Sequence, residues 1–157
     1  MKRRQTRMPS RWMIVDERSS ADLWPAVRAL PRGSGVLVLF REQSPRERQL
    51  LLRRLRRLAA GKRLVIADEA AGDAARVHNL PELRSALLRG TRLILLSPVF
   101  ATRSHPEWKP LPRMRAAAYA RLARRQLVAL GGMNEQRFAE VKRLGFQTWA
   151  GIDAFRT

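Results

Sequence analysis

Leu93-Ile94-Leu95-Leu96-Ser97-Pro98-Val99-Phe100-Ala101-Thr102-Arg103-Ser104-His105-Pro106 is the stretch on which the fold turns. Its first four residues are apolar without alternation, the pattern of a strand buried on both faces. Two prolines, two hydroxyl side chains beyond Ser97, a guanidinium and an imidazole follow, and they read as a polar loop. A buried strand running into such a loop is how a parallel sheet presents a site at its carboxyl edge. The same unit recurs in both directions. Downstream, residues 113–125 are Ala-rich and helical, and Leu127-Val128-Ala129-Leu130 runs into Gly131-Gly132. Asn134 caps a helix to residue 144, stopped by Gly145, and residues 148–153 form the last strand. Upstream, residues 75–79 read as a short strand, and residues 81–89 as a helix stopped by Gly90. Residues 63–68 and 36–41 are apolar strands. Between them Ser44-Pro45-Arg46-Glu47 starts a helix with Leu51, Leu52, Leu55 and Leu58 on one stripe. That helix is expected to end at Ala60, with Gly61 as its stop. Residues 20–30 have helical spacing, and residues 12–16 form the first strand. Residues 1–10 lack apolar periodicity and read as a disordered basic arm, leaving residues 11–157 as one domain.

Seven strands, most joined by helices, predict an α/β fold with a parallel sheet. An open doubly wound sheet and a (β/α) barrel both fit. A full barrel usually needs at least about 200 residues, so a chain of 157 would hold a shortened one.

The composition excludes several functions. With no cysteine there is no disulfide scaffold, no Cys-ligated metal and no thiol nucleophile. Two histidines argue against a His-rich metal site. No apolar run approaches the roughly 18 residues of a membrane span. No apolar core follows the charged start, so a signal peptide is not expected and the cytoplasm is the expected compartment. The net charge is +19, and only four of the 32 basic residues are Lys. A nucleic-acid binder would carry such a charge. Aromatics are only 6% and do not interleave with the arginines as a stacking platform would. A solvated basic surface is therefore the favoured reading, with nucleic acid the less favoured partner.

Polar residues gather after the strand ends: Asp16, Arg41, Asp68, His78, Ser97, Thr102, Ser104, His105, Gly131, Gly132 and Asp153. In a parallel fold these ends share one face. Gly131-Gly132 ahead of a helix lets backbone N–H groups approach an anion, although a glycine pair is also a plain turn. Gly151-Ile152-Asp153 after the last strand would add further N–H groups. Thr102, Arg103, Ser104 and His105 suit phosphate oxygens. Asp68 is either a Mg²⁺ ligand or a helix cap. A Gly132→Val change is expected to obstruct the anion and leave the fold intact.

Residues 96–106, followed by Val128-Ala129-Leu130-Gly131-Gly132-Met133, resemble the thiamine phosphate synthase / TenI family. Its members read G/S-P-V-F-x-T-x-[ST]-[KH] and then A-[LI]-G-G-[IM]. Leu39-Phe40-Arg41-Glu42-Gln43 looks like its second-strand Q-L-R-E-K, and Ile66-Ala67-Asp68 like its third-strand I-N-D. From His78 to Thr102 the spacing matches the family's fifth strand, helix and sixth strand without a gap. The resemblance covers residue 11 to the C-terminus. It implies a TIM barrel that joins a pyrimidine diphosphate to a thiazole phosphate with Mg²⁺, releasing pyrophosphate and giving thiamine phosphate. The partners it implies are these small phosphorylated substrates. By resemblance Thr102, Ser104 and Arg41 contact pyrophosphate, and His105 stands where the family has Lys, so Arg41 and His105 are the expected catalytic residues. Asp68 is the implied metal ligand. Gly131, Gly132 and the backbone of Ile152 and Asp153 are the implied cradle for the thiazole phosphate.

The chain departs from that pattern in places. The family's second-strand Gln is Leu39, its Lys there is Gln43, and its Asn before the metal Asp is Ala67. The tautomerase branch has a His where Pro98 stands. Only nine residues lie between Asp68 and His78, so about one βα unit is missing, together with the family's second metal Asp. The expectation is a shortened TIM-type barrel of about seven parallel strands without the fourth βα unit. A seven-strand wall either closes tightly or leaves a gap, which a partner subunit of a homo-oligomer would cover. Two other functions stay open: a catalytically degenerate protein that binds phosphate or a thiamine precursor, and a basic nucleic-acid binder.

Overall fold

The apolar runs become strands and the capped segments helices in the computed structural model, which describes residues 7–19, 23–40 and 42–155. In chain order the elements are β1 (Arg11–Val15), α1 (Leu23–Ala29), β2 (Gly35–Val38), α2 (Pro45–Lys62), β3 (Val65–Asp68) and β4 (Ala74–Val77). There follow α3 (Leu80–Leu88), β5 (Leu93–Leu96), α4 (Arg113–Ala123), β6 (Leu127–Ala129), α5 (Glu135–Lys142) and β7 (Thr148–Gly151). Every strand pair is parallel, and the order across the sheet is β3-β2-β1-β7-β6-β5-β4. The first strand therefore pairs with the last. A doubly wound sheet reverses direction at a switch point and keeps its last strand at an edge. The observed order is that of a barrel wall, curled and left unpaired between β3 and β4.

The curl separates two kinds of core. The inner one is built from strands and their immediate extensions: Trp12, Ile14, Leu37, Leu95, Val128 and Ala150 face one another. The outer cores lie between sheet and helices. Val36 and Val38 meet Leu23, Val27, Leu52 and Leu55 on one flank, and Ile94 and Leu96 meet Leu83, Ala116 and Phe138 on the other. All four residues of β5 are fully buried because each face of the strand has its own core. Each such side chain contributes about 1.5–3 kcal/mol of transfer free energy. Trp12 fills the inner core so closely that a Cβ on Gly35, its register partner on β2, would sit 2.2 Å from the indole ring.

Helix α2 opens with the expected capping box. The Glu47 N–H donates to Ser44 Oγ at 3.3 Å, and the Ser44 N–H donates to Glu47 Oε2 at 2.9 Å. The Ser44 N–H first, and then the Ser44 hydroxyl, which donates to the same oxygen at 2.8 Å, hold the Glu47 carboxyl below the usual glutamate range. The helix does not stop at Gly61. It runs on to Lys62 and ends where Arg63 adopts the left-handed conformation (φ 53°), its N–H bonding Ala59 O. Two long-range anchors set this end. Lys62 Nζ donates to the carbonyls of Arg28 and Leu30, the latter at 2.9 Å, and Leu64 is buried beneath the helix.

The missing unit leaves a distinct junction. Between β3 and β4 the chain makes a short 3-10 turn, Glu69–Ala71, and no crossover helix. Asp68 Oδ1 accepts from the Ala70 N–H at 3.1 Å. The Asp73 N–H donates to Asp68 O at 3.2 Å, and the Asp68 N–H to Asp73 Oδ2 at 2.9 Å. The end of β3 thus lies beside the start of β4, and the two sheet edges meet through a turn instead of a ladder. Of the stretch expected as a basic arm, residues 1–6 lie outside the described residues. Pro9 is buried; its carbonyl accepts from Thr148 Oγ1 at 2.9 Å, and the Ser10 carbonyl accepts from the Trp149 N–H. Among the described residues no helix is long and apolar enough to cross a membrane.

Candidate functional site

The carboxyl ends of the strands surround two adjoining cavities, of about 470 and 480 Å³. Thr102, Ser104, Leu130, Gly131 and Ile152 line both, so the two form one mouth.

The cavity of about 480 Å³ is a cradle built around the glycine pair. Thr102, Ser104, Gly131, Gly132, Ile152 and Asp153, the six residues expected around phosphate, all line it. Gly131 (φ 101°) and Gly132 (φ 59°) hold backbone angles that side chains disfavour. They are also pressed against the loop after β5. The Val99 N–H donates to Leu130 O at 2.9 Å, and the Phe100 N–H to Gly131 O at 3.1 Å. A Cβ on Gly132 would lie 2.3 Å from Ala101 O, so a valine there would strike the loop backbone before any anion. This overturns the expectation that Gly132→Val leaves the fold intact. Asn134 caps α5, its Oδ1 accepting from the Arg137 N–H at 2.8 Å. The positive end of that helix therefore belongs to the cradle. Arg103 and Arg137 also line the cradle, and the sequence reading had not singled out Arg137. Its guanidinium lies 4.9 Å from the Phe100 ring centroid and donates to Gly132 O at 2.5 Å. The signal was its place three residues beyond the Asn134 cap, in the turn that borders the glycine pair.

The cavity of about 470 Å³ has an apolar wall of Ile14, Leu39, Leu130 and Ile152. Ser97, whose peptide bond to Pro98 is cis, and His105 stand at its edge. His105 stacks on Trp108 with centroids 3.9 Å apart and planes 10° from parallel, and its Nδ1 lies 3.4 Å from Glu107 Oε1. His78 meets the same indole edge-on at 5.5 Å. The His78 N–H donates to Glu82 Oε2 at 2.7 Å, which is the main cause of a Glu82 carboxyl held below the usual range. Asp16 and Glu17, after β1, and Glu42, after β2, line this cavity, Glu17 Oε1 accepting from the Glu42 N–H at 2.9 Å. Arg76 lines it from β4.

Of the remaining expected residues, Asp68 is not brought to the mouth. Arg41 lies outside the described residues. Asp68 pairs in register with Val38, whose side chain faces α2, and so it shares that outward face. Its Oδ2 accepts from Arg48 Nη2 at 2.5 Å and its Oδ1 from the Ala70 N–H. With one oxygen on a guanidinium and the other capping a turn, the carboxylate does not fit a Mg²⁺ ion, which needs anionic oxygens in octahedral array. Among the described residues no group of three His, Asp or Glu side chains is placed to hold a metal.

Comparison with known proteins follows this geometry. Among solved structures, the chain is similar to a thiamine phosphate pyrophosphorylase from Pyrococcus furiosus. The TM-score is 0.77 at 18% identity, over 95% of this chain and 88% of that one, and at that identity the likeness shows the fold. No curated protein matches the sequence. A family model described as thiamine monophosphate synthase matches residues 74–155, from the first residue of β4 through the loop after β5 and the glycine pair to the last turn. That match spans more than half of the sequence, and the chain therefore belongs to the thiamine monophosphate synthase family.

Proposed function

We propose that this protein is a thiamine-phosphate-synthase-like protein of thiamine biosynthesis that binds thiazole phosphate at the mouth of its curled sheet. The observation that supports the reading is the continuity of the two cavities, one polar and cationic, the other walled by aliphatic side chains. A phosphate in the cradle meets the N–H groups of Gly131 and Gly132, the Thr102 and Ser104 hydroxyls, and the charges of Arg103 and Arg137. The ring then lies over Ile14, Leu130 and Ile152, where apolar area removed from water adds affinity. Calorimetric titration with thiazole phosphate tests this. Thr102→Ala and Arg137→Met should each weaken binding about 5- to 50-fold, as expected for hydrogen bonds to a charged group. Affinity indifferent to both substitutions would remove the cradle from the reading.

A second reading, a synthase that also takes the pyrimidine diphosphate, draws support from Arg76, His105, Thr102 and Ser104 around the second cavity. Incubation with both precursors, with and without Mg²⁺, tests turnover. Thiamine phosphate formed only at the uncatalysed rate would leave the protein a binder of the precursor.

A further inference from the structure

Arg76 sits at an inward position of a barrel strand, where a charge needs a reason. Its register partner on β5 is Leu95, a member of the inner core, and Ala74 two residues earlier belongs to the same core. The side chain thus rises from the inner face of β4 into the cavity of about 470 Å³ and is 31% exposed there. Its buried Nε forms an ion pair with the Glu69 carboxylate at 3.6 Å and makes no hydrogen bond among the described residues, which leaves the two Nη groups as its donors to a ligand. Ser97, Thr102, Ser104 and His105 share the cavity, and the carboxylates of Asp16 and Glu17, after β1, and of Glu42, after β2, border it from across the unpaired edge. Meanwhile Asp68, the residue expected to recruit a cation, is neutralised on the outer face by Arg48.

We infer that Arg76 is a fixed cation of this cavity, and that the cavity takes a diphosphate without a divalent metal. The inference rests on the second reading above, in which a diphosphate enters this cavity. A guanidinium carried on a strand is a permanent charge with several donors in a planar fork, suited to adjacent phosphate oxygens. It brings to the cavity a positive charge of the kind a metal would supply.

The test is calorimetric titration of the full chain with inorganic pyrophosphate, in EDTA and then in excess Mg²⁺. Pyrophosphate should bind in EDTA, and Mg²⁺ should leave the apparent affinity unchanged or lower it, since the ion competes for the free anion. Arg76→Met should weaken pyrophosphate about 10- to 100-fold, and Arg76→Lys less, while thiazole phosphate in the Gly131-Gly132 cradle binds within about twofold of wild type. The thiazole phosphate titration also shows that the variant is folded. Pyrophosphate binding that tightens tenfold or more with Mg²⁺, or that ignores Arg76→Met, overturns the inference and leaves the diphosphate reading standing. Wild-type protein that binds no pyrophosphate under either condition overturns both.

Discussion

Replacing Gly132 with alanine should lower the melting temperature by about 5–15 °C, and the same change at Gly33 by only about 2–4 °C. Both glycines have positive φ, 59° and 78°, so each alanine takes on backbone strain of about 1 kcal/mol. Their surroundings differ. A Cβ on Gly33 meets nothing within 4 Å. On Gly132 it lies 2.3 Å from Ala101 O and 2.8 Å from Arg137 Nη1. The arginine tip can swing aside, but the Ala101 carbonyl belongs to a loop pinned through Val99 and Phe100 to the glycine pair itself. Overpacking against an element that must shift costs about 1–3 kcal/mol. With the strain, the total is about 2–4 kcal/mol, a large part of a domain's 5–15. A chain of this size loses about 2–4 °C per kcal/mol. Thermal melts of the two variants and wild type, followed by circular dichroism at one pH, give the comparison. Equal shifts for Gly132→Ala and Gly33→Ala would mean that the loop is not pressed against residue 132, and the packing argument for this half of the mouth would fail.

Two further outcomes follow from backbone and charge. Arg124 ends α4 at φ 49° and ψ −123°, a region that suits glycine, so Arg124→Gly should raise the melting temperature by about 2–4 °C once the freer unfolded chain is counted; a decrease would show that the Arg124 side chain stabilises more than its backbone strains. Glu47 and Glu82 are both held below the usual glutamate range, chiefly by backbone N–H groups of Ser44 and His78. A depressed folded value means stability present above the unfolded value and lost as pH falls through the folded one, so the melting temperature should drop as pH goes from about 5 toward 3. A Glu47→Gln, Glu82→Gln double variant should melt with a flatter acid limb, and an unchanged slope would remove these two carboxyls from the acid response.

The element order, the gathering of the glycine pair with Thr102 and Ser104, and the loss of one βα unit could be read from residues alone, because each depends on local chemistry. Continuous apolar runs bounded by glycine and proline predict short strands buried on both faces. The chain pairing β1 with β7 then follows the barrel option of the two that the pattern allowed. Gly131, Gly132, Thr102 and Ser104 lie close in sequence to the strand ends that carry them, so their convergence needs only a parallel sheet. The end of α2 was decided elsewhere. A glycine can stop a helix or sit inside it at about 1 kcal/mol, and the choice at residue 61 was made by Lys62 reaching the carbonyls of Arg28 and Leu30, more than thirty residues away.

Facing was the part that only the tertiary structure could decide. Side chains alternate along a strand with a period of two, and a slip of one residue exchanges the faces. In Val65-Ile66-Ala67-Asp68 and Ala74-Ala75-Arg76-Val77 no polar alternation marks which face is inner, since both faces are buried in a barrel wall. Register with β2 turned Asp68 outward to Arg48, and register with β5 turned Arg76 inward to the mouth. A carboxylate that motif and position assigned to the metal thus became a structural ion pair. An arginine without any motif came to line the cavity, because hydrogen bonding between strands distant in sequence sets which side chain meets the interior.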